Sequence, residues 1–186
     1  PTLDAGRFQC CVTSPPYWRK RDYGFDGQIG QESTPDAYVE SMMDCLTEWR
    51  RVLRPTGSVF LNIGDTWRGR TLQAVPARLE LAAMADGWRV RSRIVWTKTG
   101  GMPNPARDRL TSRYEYVLHL APTADYYFDL FGFEREFGSA SDVWPIKLER
   151  NTGKHLAPFP SELARRCITL GCPERVCSCG RPLTRI

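Results

Sequence analysis

Residues 11 to 24 read CVTSPPYWRKRDYG. An apolar run ends in Ser14, Pro15, Pro16 and Tyr17, and Trp18 is followed by three basic residues, Arg19, Lys20 and Arg21. Two adjacent prolines can extend neither a central strand nor a helix interior, because each lacks an N–H and fixes φ. The turn they force presents carbonyl oxygens in set directions with few competing donors. Such an acceptor-rich kink suits a group that brings N–H donors on a flat ring, such as the exocyclic amine of a nucleobase. If the Ser14 oxygen and the Pro15 carbonyl accept its two hydrogens, the nitrogen is drawn towards tetrahedral geometry. Its lone pair then leaves the ring system and becomes nucleophilic. Orientation and fixed dipoles suffice for this, without a covalent intermediate. Tyr17 offers a face on which a base can stack once it has left its duplex. Trp18, Arg19, Lys20 and Arg21 fall where the phosphates of the distorted strand would be held. The plainer alternative is a strand that ends in a rigid turn and a solvated basic loop.

The elements that must hold this turn follow from periodicity. FQCCVT, residues 8–13, is a short continuous apolar run of the kind buried on both faces of a sheet. Thr34 and Pro35 give an N-cap and first-turn pair, and Tyr38, Met42, Leu46, Trp49 and Leu53 recur at helical spacing. SVFLNI, residues 58–63, reads as a second buried strand ending at Gly64 and Asp65. Pro76 opens a helix that Gly87 closes. WRVRSRIVWTK alternates, with Val90, Ile94 and Trp96 opposite Arg89, Arg91 and Arg93. YEYVLHL and DYYFD are strand-like, residues 131–143 have no clear period, and Pro160 to Leu170 reads as a helix stopped by Gly171. Strands alternating with helices predict an α/β fold whose sheet is parallel at least through its first strands. In such sheets ligands bind beyond the carboxyl ends of the strands, which places Ser14–Tyr17 beside Asn62, Gly64 and Asp65.

Composition agrees with a folded domain. The 186 residues are 41% hydrophobic and 11% aromatic, enough to bury a core. No stretch approaches the roughly 20 apolar residues of a membrane span, and PTLDAGRFQ lacks a signal-peptide layout, so a cytoplasmic protein is expected. Of the 26 basic residues, which give a net charge of +5, 22 are arginine. Arginine suits phosphate and guanine, although codon usage in a GC-rich genome produces the same bias. The seven cysteines form an odd number without a secretory signal, which predicts reduced thiols. Cys172, Cys177 and Cys179 in GCPERVCSCGRP lack the two-residue gap of a zinc knuckle, so no metal site is assigned, and half of a zinc ribbon remains the alternative.

VTSPPYW resembles the catalytic motif of amino-methylating DNA methyltransferases, in the Thr-Ser-Pro-Pro-Tyr form of cytosine-N4 enzymes. GSVFLNIGDTW, GWRVRSRIVWTK, RYEYVLHL and KHLAPFPSELARRCI agree in order, so the resemblance covers about residues 8–171. The order is similar to the permuted β-type arrangement, in which the catalytic motif precedes the cofactor strand. The resemblance implies a Rossmann-like methyltransferase sheet, circularly permuted and incomplete in this sequence. It implies Ser14, Pro15, Pro16 and Tyr17 as the catalytic turn. It also implies S-adenosylmethionine as cofactor, lying against His155, Phe159 and Pro160 and lined by Asp65. For these residues the readings as a loop histidine, a helix staple and a turn cap stay open, and Trp96 and Lys98 either border the base pocket or are a core tryptophan with a surface lysine. The implied activity is methylation of cytosine N4, with adenine N6, or a degenerate DNA-binding relative, as alternatives. The implied partners are double-stranded DNA, a restriction endonuclease in the same cell, and a second copy of the chain in a homodimer.

The sequence departs from that family in one respect. A glycine-rich Phe-x-Gly-x-Gly loop is expected after the helix ending at Leu170, and GCPERVCSCGRPLTRI stands there instead. Residues 1–171 therefore correspond to the catalytic half of a methyltransferase domain, with a target-recognition insert at about 128–150 that includes Arg135 and Lys147. Residues 172–186 correspond to a cysteine-containing tail or the start of an insertion. The expectation is that further sequence completes the domain and that these residues by themselves hold the cofactor weakly.

Overall fold

The structure, a computed structural model, describes residues 3–100, 106–149 and 160–177. Its first strand, β1 (Phe8–Thr13), is the FQCCVT run and stops at the prolines. Helix α1 (Pro35–Val52) begins where expected: the Thr34 hydroxyl accepts from the Ala37 N–H at 3.1 Å, a cap worth about 1 kcal/mol. Strand β2 (Leu53–Ile63) starts five residues before the predicted SVFLNI and pairs with β1 in parallel, with an irregularity between Phe8 and Cys10. A two-stranded hairpin follows, β3 (Trp67–Arg68) and β4 (Thr71–Leu72), then α2 (Val75–Ala85) and β5 (Arg89–Thr99). Strand β6 (Tyr114–Ala121), α3 (Leu130–Phe137), β7 (Val143–Lys147) and α4 (Ser161–Gly171) complete the described elements.

The main sheet has the order β1-β2-β6-β5-β7. Strands β1 and β2 are parallel, β6 is antiparallel to both β2 and β5, and β7 runs parallel to β5. Helices cover both faces, as an α/β sheet requires. On one face Tyr38, Met42 and Leu46 of α1 and Leu79 and Ala83 of α2 pack on Val59, Leu61 and Ile63 of β2 and Leu118 and Leu120 of β6. On the other, Phe133 of α3 and Leu163, Cys167 and Leu170 of α4 meet Phe60, Val117, Ile94, Trp96, Trp144 and Ile146. Each of these large apolar side chains contributes about 1.5–3 kcal/mol by leaving water.

Three expectations are corrected. DYYFD is not a strand: Tyr126 and Phe128 turn their rings onto His119, and the Asp129 carboxylate caps α3 by accepting from the Gly132 N–H at 2.7 Å. Residues 131–143 do hold regular structure, because Phe133 and Phe137, one helical turn apart, stack near Trp144 and give α3 a short apolar stripe. Strand β7 escapes pattern reading because Pro145 interrupts it, which its place at the sheet edge permits. Cys10, Cys11, Cys45, Cys167 and Cys172 are free thiols, whereas Cys177 is disulfide-bonded, contrary to the expectation of uniformly reduced cysteines. Among the described residues no helix is long and apolar enough to cross a membrane.

Candidate active site

Strand alternation decides which side chains reach the edge of the sheet. Phe60 of β2, Val117 of β6 and Trp96 of β5 all belong to the core on the α3/α4 face. Asn62, Glu115 and Lys98 lie two positions further along the same strands, so they extend that face past its apolar part. The carboxyl ends of β1, β2 and β5 and the amino end of β6 meet there, and the Ser14–Tyr17 turn leaves β1 at that edge.

The turn is held from several sides. The Tyr38 hydroxyl of α1 donates to the Pro16 carbonyl at 3.0 Å, and the Lys20 N–H donates to the Tyr17 carbonyl at 3.1 Å. The Arg19 N–H reaches the Gly30 carbonyl at 2.7 Å. Gly30 has φ +100, and a Cβ there would stand 3.1 Å from the Pro16 Cβ, so the loop can lie against the turn only with glycine at this position. No donor reaches the Pro15 carbonyl among the described residues, so it is an available acceptor.

Behind the turn lies a connected polar group. The Tyr17 hydroxyl donates to Glu115 Oε2 at 2.7 Å and accepts from Asn62 Nδ2 at 2.7 Å and from the Ser14 hydroxyl at 3.3 Å. Asn62 Nδ2 also lies 3.3 Å from Ser14 Oγ and 3.0 Å from Glu115 Oε2. Lys98 Nζ pairs with the other carboxylate oxygen of Glu115. Asn62 is 2% exposed, and its Oδ1 has no partner among the described residues. Burial, with the Glu115 charge adding to it, pushes the Tyr17 phenol well above its usual range, so the hydroxyl keeps its proton. The ring itself is clamped: a Cβ on Gly64 would come within 2.8 Å of Tyr17 Cε2, so glycine is required where β2 ends.

Other expected site residues are placed as follows. Trp18 is not a surface contact; it is 5% exposed, part of the α1/α2 core, and its indole N–H donates to the Glu32 carbonyl at 3.0 Å. That burial corrects its expected role against DNA, because an amphipathic ring is drawn inside once its N–H finds a partner. Arg19, Lys20 and Arg21 are exposed beside the site, Arg19 Nε donating to the Glu32 carbonyl and Lys20 Nζ to the Asp65 carbonyl. Asp65 Oδ1 accepts from the Thr66 and Val75 N–H groups at 2.8 and 3.1 Å, taking the place of a side-chain cap that α2 lacks. Its Oδ2 has no partner among the described residues. Pro160 is buried at the N-cap of α4, and His155 and Phe159 lie outside the described residues. Trp96 is a core residue whose indole N–H donates to the Ile146 carbonyl, while Lys98 reaches the site. Arg135 and Lys147 are exposed on α3 and β7.

Sequence reasoning missed Glu115 and the β3–β4 hairpin. Glu115 stands at the start of β6 in register with Val117 and His119, and only the pairing of β6 with β2 and β5 gives it its partners. The hairpin adds exposed Arg68 and Arg70, and Trp67, whose ring lies 4.8 Å beneath the Arg109 guanidinium. Both arginines of the hairpin are exposed, as are Arg19, Lys20 and Arg21.

A model of the DNA methylase family matches residues 8–176. The chain is 36% identical to Type II methyltransferase M.SmaI of Serratia marcescens over 91% of its own length and 70% of that protein's. Among solved structures it is similar to the PvuII DNA methyltransferase (cytosine-N4-specific), with a TM-score of 0.77 and 17% identity over 93% of this chain and 67% of that one. It is also similar to a putative DNA modification methylase of Thermus thermophilus complexed with S-adenosyl-L-methionine, with a TM-score of 0.63 and 23% identity over 90% and 69%. These two likenesses establish the Rossmann-like methyltransferase fold. With the family match over nearly the whole chain, the relative from Serratia places it in sequence as well: the chain belongs to the DNA methylase family of N4/N6 amino-methyltransferases.

Proposed function

We propose that this chain carries the base-binding and methyl-accepting site of an S-adenosylmethionine-dependent DNA methyltransferase, and that its substrate is cytosine N4 in duplex DNA. The observation that carries the reading is the turn itself. Ser14 Oγ is held by Asn62 and Tyr17, the neighbouring Pro15 carbonyl is available, and the Tyr17 ring is clamped beside them. Two fixed acceptors and an aromatic platform match an NH₂ group on a base turned out of its stack. The buried, unpartnered Asn62 Oδ1 adds a third acceptor in the same cluster. The exposed basic side chains of Arg19, Lys20, Arg68 and Arg70 support a phosphate backbone as the surface that the base leaves.

S-adenosylmethionine supplies the methyl group on a sulfonium, an electrophile that needs only an oriented lone pair. Among the residues assigned to it, Asp65 fits: its unused Oδ2 is an acceptor at the end of β2, suited to a ligand that brings ammonium and hydroxyl donors. Pro160 at the head of α4, with His155 and Phe159, would complete the holder. Ser14, a neutral hydroxyl where an acid would add charge, supports cytosine N4 over adenine N6. Modification against a cognate restriction endonuclease is the setting in keeping with the Type II relatives.

The test is incubation of the natural full-length protein with labelled S-adenosylmethionine and duplex DNA, followed by nucleoside analysis. Labelled N4-methylcytosine is the expected product. N6-methyladenine alone would move the assignment to adenine, and DNA left unlabelled by a protein that still binds it would leave a DNA-binding relative without catalysis.

A further inference from the structure

Methylation of an amine releases a proton. When the nitrogen lone pair forms the N–CH₃ bond, the donor's C–S bond breaks with both electrons left on sulfur, and the positive charge passes to the nitrogen. That nitrogen must shed one hydrogen to become the neutral methylamine. The turn presents only neutral oxygens, Ser14 Oγ and the Pro15 carbonyl, and neither can keep the proton at neutral pH.

We infer that Glu115 is the end of a proton path that runs from the substrate amine through the Ser14 and Tyr17 hydroxyls. The inference rests on the proposed function above. Its geometry is a chain of donors all pointing one way: the Ser14 hydroxyl donates to the Tyr17 oxygen at 3.3 Å, and the Tyr17 hydroxyl donates to Glu115 Oε2 at 2.7 Å. One shift along the chain moves the amine proton to Ser14 Oγ, the Ser14 hydrogen to Tyr17 and the Tyr17 hydrogen to the carboxylate. Serine and tyrosine end neutral, as they began, and Glu115 ends as a carboxylic acid. The Tyr17 phenol holds its proton firmly, which makes it a conduit and not an acceptor. Glu115 retains 16% side-chain exposure, enough to pass its proton on to water.

The surroundings of Glu115 explain why a carboxylate stands there. Tyr17 and Asn62 both donate to Oε2, and Lys98 donates to Oε1. Every neighbour is a donor, so the position calls for a group that only accepts, and an amide would turn N–H against N–H. Because Glu115 acts through Tyr17 and Ser14, it is a positioning and relay residue and not one that touches the base.

The experiment compares Y17F, E115Q and E115D with the wild type, using the natural full-length protein with S-adenosylmethionine and a duplex carrying 2-aminopurine next to the target. Single-turnover methylation gives the rate, and fluorescence gives DNA affinity and base extrusion. Y17F keeps the clamped ring and removes only the hydroxyl, so it tests the path even if E115Q does not fold. We expect Y17F and E115Q each to slow methylation about 100-fold with DNA affinity within threefold, the size of a lost acid–base contribution. The double variant should be no slower than either single one, and E115D should recover at least tenfold. Y17F at the wild-type rate would overturn the relay, as would an E115Q defect confined to KM. A wild-type protein that leaves DNA unlabelled would refute the proposed function itself; wild-type methylation with unimpaired Y17F refutes the relay alone.

Discussion

Strands β2 and β6 carry two polar groupings on the same face of the sheet, and they are built to opposite ends. The inner one joins Ser58 Oγ to His119 Nε2 at 3.0 Å, both residues at most 1% exposed. The His119 ring is stacked between Phe60 and Phe128, with centroids at 4.4 and 5.6 Å. Four positions along each strand, Asn62 and Glu115 form the outer one with Tyr17, Ser14 and Lys98. The inner pair closes on itself, is neutral and packs like an apolar layer. The outer group is charged, leaves Asn62 Oδ1 unpaired and has the Pro15 carbonyl beside it. Two polar groupings on one strand pair thus differ by position alone: mid-strand, a helix and aromatic rings cover them, whereas at the carboxyl edge the chain turns away and leaves acceptors for a ligand. Unsatisfied polar atoms cost stability, and they are tolerated where a substrate supplies the partner.

The largest effect expected from breaking this contrast is at Ser14. Ser14→Ala removes an acceptor from the turn and the first step behind it, while the prolines and the Tyr17 clamp stay. Turnover should fall about 100- to 1,000-fold with DNA affinity within threefold, the signature of an interaction made with the reacting group. A loss of DNA binding equal to the loss of rate would place Ser14 in docking instead. Asn62→Leu is the next test, because the two groupings predict opposite outcomes for it. If the outer group serves chemistry at the expense of stability, the variant slows methylation about tenfold or more. It should nonetheless unfold at the same temperature or higher, since an orphaned buried acceptor costs about 1–3 kcal/mol. A joint fall in activity and melting temperature would make the outer group a structural element like the inner one.

Local signals in the sequence were enough for one part of the outer grouping and not for another. Ser14–Tyr17, the caps of α1 and the apolar runs of β1 and β2 could be read directly, because prolines, a Thr-Pro pair and continuous apolar segments act within a few residues. Glu115 could not, since its meaning depends on β6 being inserted antiparallel between β2 and β5, a non-local pairing that brings residues 17, 62, 98 and 115 together. Trp18 was misplaced for a related reason. Its neighbours in sequence are basic and exposed, whereas its fate was set by the Glu32 carbonyl and the α1 core. Strand β7 went unseen because Pro145 interrupts its short run, and α3 because its stripe consists of only two rings, Phe133 and Phe137, completed by Trp144 of β7.

The smallest effect is expected from the inner pair, and it appears only in stability. Burial, with the Arg91 charge adding to it, pushes His119 down to about 4 from an ordinary value of 6.5. Between those two values the unfolded chain binds a proton that the folded chain refuses, so the unfolded state gains as pH falls. Stability attributable to His119 is therefore constant above pH 6.5, declines as pH falls from 6.5 to 4, and levels off below. At about 1.4 kcal/mol per pH unit, the decline amounts to roughly 3 kcal/mol. His119→Gln, which cannot titrate but can still meet the Ser58 hydroxyl, should flatten denaturant-derived stability across that window by about this amount and leave methylation at pH 7.5 within about twofold. An unchanged pH slope would mean that the ring titrates freely and the inner pair is not closed. A large loss of methylation would mean that the two groupings are coupled along β6, which the separate hydrogen-bond partners of His119 and Glu115 argue against.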